Sequence, residues 1–164
     1  MSTEKEVVQR GLWFEEFTEG VVYRHQPGRT VTEADNTLFT TMTMNTQSLH
    51  LDAAWSAGQP FGQRLMNSMF TLATMVGQSV GQLTQGTLVA QLGLGEIACP
   101  APVFHGDTLT TSTEVVSIRE SSSRPGQRIV VFAHTGTNQD GTVVARAQRT
   151  CLMWTAAAHR EAGA

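Results

Sequence analysis

The hydrophobic pattern of the chain changes period near residue 87. Before that point apolar positions recur at helical spacing, and after it they fall in β-rich runs. From Asn67 or Ser68 to about Val80, residues Met69, Leu72, Ala73, Val76 and Val80 recur at intervals of three and four, which predicts the longest helix. Phe70, Thr71 and Met75 fill much of its remaining circumference, and a helix apolar nearly all round is expected to be buried. Thr32-Glu-Ala-Asp35 has a capping residue followed three places later by an acid, so a helix is expected through Leu38, Phe39 and Met42. Asp52 can cap a short helix from Ala53 to Ala57, which Gly58 and Pro60 stop. Residues 20–30 alternate enough to form an early strand.

Beyond Thr87 the runs Leu88–Leu94, Ile97–Ala98, Thr108–Arg119, Arg128–Asn138 and Thr142–Trp154 are rich in Val, Thr and Ile. Pro100 and Pro102, the Ser121–Gly126 segment, and Asn138-Gln-Asp-Gly141 punctuate them, the last predicting a hairpin. One buried helix followed by antiparallel strands implies an α+β fold in which a curved sheet wraps the helix. A single domain over 11–155 is expected, flanked by flexible tails at 1–10 and 156–164.

Composition narrows the function. Hydrophobic residues make up 40% and charged residues 15%, enough apolar material for a core and too little charge for disorder. Lys+Arg 11 against Asp+Glu 14 gives a net charge of -3 with no basic stripe, which argues against nucleic acid as a partner. Cys99 and Cys151 form no CxxC pair, so no metal site is expected, and both are read as buried, reduced thiols in strands. The polar, acidic start and the absence of a long apolar run predict a cytoplasmic protein without a membrane segment.

The segment Thr41-Met-Thr-Met-Asn-Thr-Gln-Ser-Leu-His-Leu-Asp52, then Pro60-Phe-Gly62 and Asn67-Ser-Met-Phe70, resembles the MaoC-like dehydratases. This hot-dog-fold family includes the (R)-specific enoyl-CoA hydratases. Pro102-Val-Phe-His-Gly-Asp-Thr-Leu109 is similar to a second motif of the family, and the resemblance runs from about Gly11 to Trp154. Met44, Gln47 and Ser48 replace the family's usual Gly, Asn and Pro. Asn45 stands where its catalytic aspartate is expected, and Asn67-Ser68 replaces a common His-Gly pair. The pattern Met44-Asn-Thr-Gln-x-Leu-His-Leu-Asp52 with Asn67-Ser-Met-Phe-Thr71 is similar to the branch described as mesaconyl-CoA and itaconyl-CoA hydratases, or β-methylmalyl-CoA dehydratases.

The resemblance implies a single hot-dog domain, an antiparallel sheet around a long central helix, pairing as a homodimer or a dimer-based oligomer. It implies a hydro-lyase that moves water across the double bond of a branched C5 dicarboxylic enoyl-CoA. No separate cofactor is expected, because coenzyme A arrives as part of the substrate. Hydration needs a proton taken from water, a proton delivered to the α-carbon, and charge stabilised on the thioester oxygen. His50, in register with the family's histidine, is the expected acid/base. Asn45 has no usable pKa but can hold a water. That leaves His50 alone, a nearby acid or the substrate's own carboxylate as the base.

Ser68 is expected to supply its backbone N–H to the thioester oxygen at the helix start. Asn67 is expected to touch a substrate carboxylate or simply cap the helix, and Gln47 to contact substrate. Arg124 and Arg128 are candidates for the coenzyme A phosphates, and Gly93 and Gly95 for a close approach of the pantetheine arm. Asp52 and Asp35 read as helix-terminal charges, and His25, His105, His134 and His159 as structural histidines. Two alternatives stand beside this reading. An acyl-CoA thioesterase would need a carboxylate near the central helix, and Ser68–Val80 contains none. A non-catalytic acyl-CoA-binding subunit would be expected to have lost His50 as well.

Overall fold

A computed structural model describes residues 5–163. Its strands are β1 (Val22–Arg24), β2 (Arg29–Thr30), β3 (Leu88–Ala98), β4 (Thr108–Glu120), β5 (Gln127–Thr137) and β6 (Val143–Trp154). They form one antiparallel sheet in the order β1-β4-β5-β6-β3, with β2 also on β4. The helices are α1 (Glu33–Met42), α2 (Ser48–Leu51), α3 (Ala53–Ala57), α4 (Ser68–Leu83) and α5 (Ala156–Glu161). The expected α+β arrangement of a single sheet around a long helix is what the chain forms.

The sheet's inner face follows the period-2 rule. Leu109, Thr111, Thr113 and Val115 of β4 are buried, as are Val130, Phe132, His134 and Gly136 of β5 and Ala145, Ala147, Arg149, Cys151 and Met153 of β6. Leu72, Met75, Ser79 and Leu83 press one face of α4 against them, at the i, i+3, i+7, i+11 positions of a helical stripe. The packing polarises along α4. Near its start, Leu72 and Met75 meet Ala145 and Ala147, while Met66, Val103, Leu109 and Val144 cluster alongside. At its end, Leu83 joins Val115, Val130, Phe132 and Met153. Gly136 leaves room for the Met75 side chain, because a Cβ there would stand 3.2 Å from the Met75 sulfur.

Several expectations need correction. The 20–30 strand is two short strands, and Leu88–Ala98 is one strand whose register shifts absorb the glycines. Residues 156–161 of the expected tail are helical. Thr155 caps them by accepting from the Ala158 N–H, and the His159 ring lies 4.8 Å from Trp13 and 6.0 Å from Trp154. Cys99 is exposed beyond the end of β3, while Cys151 is buried in β6, where burial pushes its thiol up to about 11 despite Arg149 nearby.

Helix α4 is not buried all round. Met69, Ala73 and Gly77 remain exposed, and with Leu72, Val76 and Leu94 they line an apolar cavity of about 320 Å³ between the helix and edge strand β3. No helix of the described residues is long and apolar enough to cross a membrane.

Candidate functional site

The segments that hold the candidate residues converge on the N-terminal end of α4. Thr32 caps α1 with the expected box, its hydroxyl accepting from the Asp35 N–H while the Asp35 carboxylate accepts from the Thr32 N–H. The chain leaves α1 through Met44, whose φ is 57°, and turns at Asn45, whose Oδ1 accepts the Gln47 N–H at 3.0 Å. Gln47 caps α2 by position, and Asp52 caps α3 by accepting the Trp55 N–H at 2.9 Å. A bridge between Leu65 and Phe104 ties the following loop to the second motif.

His50 sits half-buried on α2. Its Nδ1 lies 2.9 Å from the Leu65 carbonyl oxygen, and a carbonyl can only accept, so Nδ1 carries the hydrogen. In the neutral ring Nε2 is therefore the basic nitrogen, and it has no partner among the described residues. Leu65 and Ser68 both line a cavity of about 210 Å³ closed by Phe61, Pro102 and Val103. At the helix start Asn67 Oδ1 takes the Met69 N–H at 3.0 Å, and the Asn67 N–H goes to Asn36. The Ser68 N–H has no partner among the described residues. The turn that carries His50 and the start of α4 are tied together through Asn36, which contacts the His50 carbonyl oxygen at 3.1 Å and accepts the Asn67 N–H at 2.9 Å.

Other candidates fall differently. Asn67 is 4% exposed, with Oδ1 accepting from the Met69 N–H and Nδ2 donating to the Thr40 hydroxyl at 3.2 Å. It caps α4, one of the two roles expected of it. Arg124 and Arg128 are not near His50 within one chain. Arg128 pairs with Glu120 at 2.9 Å and stacks over Phe14, at the end of the sheet where α4 finishes. α4 spans about 24 Å at 1.5 Å per residue, and Arg128 lies at the end of it away from Ser68. Gly93 and Gly95 flank Leu94 on the edge strand, and a Cβ on either would meet nothing within 4 Å. Register shifts of the β3–β6 pairing adjoin both glycines.

The remaining histidines separate clearly. Thr113 Oγ1 bridges His25 Nε2 at 2.7 Å and His134 Nδ1 at 2.8 Å beneath α4, with Gln82 on the other side of His25. Burial, with the Arg149 and His25 charges, pushes His134 down to about 3, and burial lowers His25 despite Gln82. His105, in contrast, belongs to the candidate region. Its Nε2 lies 3.0 Å from Asn36 Nδ2, and burial with neighbouring Arg64 lowers its pKa against the opposing pull of Glu33.

Residue Asn36 was invisible to hydrophobic patterning. α1 turns Asn36 and Thr40 inward, both 0% exposed, while Leu38 and Met42 point to solvent at 62% and 74%. Two polar residues at i and i+4 form the buried stripe. That spacing is the one signal available beforehand.

The sheet around one helix and the cluster at that helix's start together define a hot-dog protein. A Mycobacterium tuberculosis protein described as a double hotdog fold superposes with a TM-score of 0.78 at 24% identity, over 89% of this chain and 45% of that one. A family model described as MaoC like domain matches residues 14–139, and the chain belongs to the MaoC-like family. It is 30% identical over 141 residues to the β-methylmalyl-CoA dehydratase of Chloroflexus aurantiacus, and 27% identical over 146 residues to a mesaconyl-CoA hydratase of Haloarcula marismortui. These alignments cover 82% and 88% of this chain but 38% and 40% of the relatives, so the chain spans about two fifths of their length.

Proposed function

We propose that this chain hydrates, or in reverse dehydrates, a branched dicarboxylic enoyl-CoA of the mesaconyl or itaconyl type. The observation that carries the reading is the His50–Leu65 hydrogen bond, which leaves Nε2 as the basic nitrogen beside a helix start with an open Ser68 N–H. In this scheme His50 Nε2 takes a proton from water as its oxygen bonds to the β-carbon. The electron pair of the double bond moves to the thioester oxygen, where the Ser68 N–H and the positive end of α4 hold it. The imidazolium returns the same proton to the α-carbon, so the net change is one added water. A single group serving in both directions suits a site in which Asn45 replaces a carboxylate. Asn45 Oδ1 keeps a lone pair beyond its Gln47 bond and can hold the attacking water with Nδ2.

A dicarboxylic preference needs a cation for the second carboxylate, and the candidate lies in a groove of about 650 Å³ between α1, α4 and the turn before β2, which shares no lining residue with the cavity at Ser68. Phe39, Phe70 and Thr74 line the groove, and Arg29 is its single charged lining residue. The Arg29 guanidinium lies 5.7 Å from the Phe70 ring centre and pairs with Asp35. A second carboxylate at this end would meet a cation already held in place.

We also propose a homodimer. β3 is an edge strand with Leu92, Leu94 and Ile97 exposed at 52%, 38% and 45%, beside the open apolar face of α4. A second copy pairing along β3 would cover both.

The test is to incubate the purified protein separately with mesaconyl-CoA, itaconyl-CoA and crotonyl-CoA and to follow mass. A gain of one water on the dicarboxylic thioesters alone supports the proposal. Hydration of crotonyl-CoA alone removes the substrate assignment, and release of free coenzyme A would mean thioester hydrolysis instead.

A further inference from the structure

We infer that Asn36 is a positioning residue whose one amide sets the geometry between His50 and the start of α4. Its surroundings fix which end of the amide points where. Oδ1 accepts the backbone N–H of Asn67 at 2.9 Å. Nδ2 lies 3.1 Å from the His50 carbonyl oxygen and 3.0 Å from the Leu65 carbonyl oxygen. Turning the amide over would set its oxygen against two carbonyl oxygens and its NH₂ against an N–H, so only one orientation is compatible with the backbone. Nδ2 has two hydrogens to share among these carbonyls and His105 Nε2, 3.0 Å away, and since it cannot accept, the ring nitrogen facing it is an acceptor. Neutral His105 carries its proton on Nδ1.

The three backbone groups that Asn36 holds belong to the three segments the proposed chemistry needs. The His50 carbonyl belongs to the turn that carries the imidazole. The Leu65 carbonyl is the same atom that receives His50 Nδ1–H and fixes its tautomer. The Asn67 N–H immediately precedes the Ser68 amide. One side chain, 0% exposed, thus spans the proton shuttle and the anion site.

Neither replacement of similar size does the same. Aspartate keeps the acceptor and loses both donors. Leucine keeps the volume and leaves the His50 carbonyl and the Asn67 N–H buried without partners, with the Leu65 carbonyl held by His50 alone. Hydrogen-bonded as it is, the buried amide costs the fold little and constrains it tightly.

This inference rests on the hydratase reading, and its test separates the two. The full chain would be prepared as wild type, as the shape-retaining Asn36→Asp, and as Leu83→Ala. Leu83→Ala opens a cavity at the far end of α4, lowers the melting temperature and touches nothing in the site.

On mesaconyl-CoA, Asn36→Asp is expected to lower kcat about 100-fold with KM changed less than about threefold. Leu83→Ala should keep kcat within a few-fold although it melts earlier. Independently of turnover, ¹⁵N resonances of the His50 ring report its tautomer. Wild type and Leu83→Ala should show the proton held on Nδ1, and Asn36→Asp a mixture. If Asn36→Asp keeps a fixed Nδ1–H tautomer, or loses activity only in step with a lowered melting temperature as Leu83→Ala does, the positioning role is wrong. If wild type turns over no enoyl-CoA, the hydratase reading fails and the tautomer measurement alone decides the role of Asn36.

Discussion

The His50 imidazole and the Leu65 carbonyl are joined by an Nδ1–H···O hydrogen bond of 2.9 Å, and the chain returns from Leu65 to the start of α4 within three residues. One backbone oxygen thereby orients the candidate proton shuttle and stands beside the cavity that Ser68 opens into. The consequences can be measured separately.

Ser68 occupies the first position of α4, where a missing N–H costs the helix nothing and proline fits without strain. Asn67 before it is extended, with ψ 124°, as a residue preceding proline should be. Ser68→Pro is therefore a clean deletion of the amide assigned to the thioester oxygen. Its kcat is expected to fall about 10²–10³-fold with the melting temperature nearly unchanged. Ser68→Ala, which keeps the amide, should remain close to wild type. Equal loss in both would mean that the hydroxyl, not the N–H, matters.

Arg29 should separate substrates. Arg29→Ala is expected to raise KM for mesaconyl-CoA about tenfold, equivalent to about 1.4 kcal/mol, and to leave KM for crotonyl-CoA unchanged. An equal rise for both thioesters would assign Arg29 to the coenzyme A portion or to the Asp35 pair that steadies α1.

Acid should destabilise the fold through His134. A histidine with its folded-state value lowered to about 3 stays neutral in the native protein, whereas the unfolded chain takes up its proton near pH 6.5. The unfolded state then binds more protons between those values. Stability is fully present above about pH 6.5 and declines as pH falls toward 3, by about 1.4 kcal/mol per pH unit for this one group. Urea unfolding at pH 7 and pH 5 should show the decline, and His134→Gln should flatten it. An unchanged slope in that variant would place the acid sensitivity elsewhere, with His25 the next group to test.

Most of the fold was readable before any coordinates. Leu109 to Val115, Val130 to Gly136 and Ala145 to Met153 alternate because one face meets a helix, and Thr32, Asp52 and Asn67 cap helices by local chemistry that needs no tertiary contact. The site was readable in part. His50 stands in a recognisable run, yet its tautomer depends on a carbonyl fifteen residues away.

Asn36 escaped because hydrophobicity predicts which apolar residues go inside and is silent on a polar one that does. α1 buries Asn36 and Thr40 and exposes Leu38 and Met42, the reverse of the usual rule. Arg128 looked available in one dimension. Only the strand register shows that it faces Glu120 at the far end of the sheet.

The most direct test of the central claim is the steady-state rate of wild type and His50→Gln on mesaconyl-CoA, followed by loss of the enoyl double bond. Glutamine can still donate to the Leu65 carbonyl and cannot take a proton at neutral pH. The account predicts that kcat falls about 10²–10⁴-fold while far-ultraviolet circular dichroism and the melting temperature stay as in wild type. Retention of more than a tenth of the wild-type kcat would contradict the assignment of His50 as the acid/base.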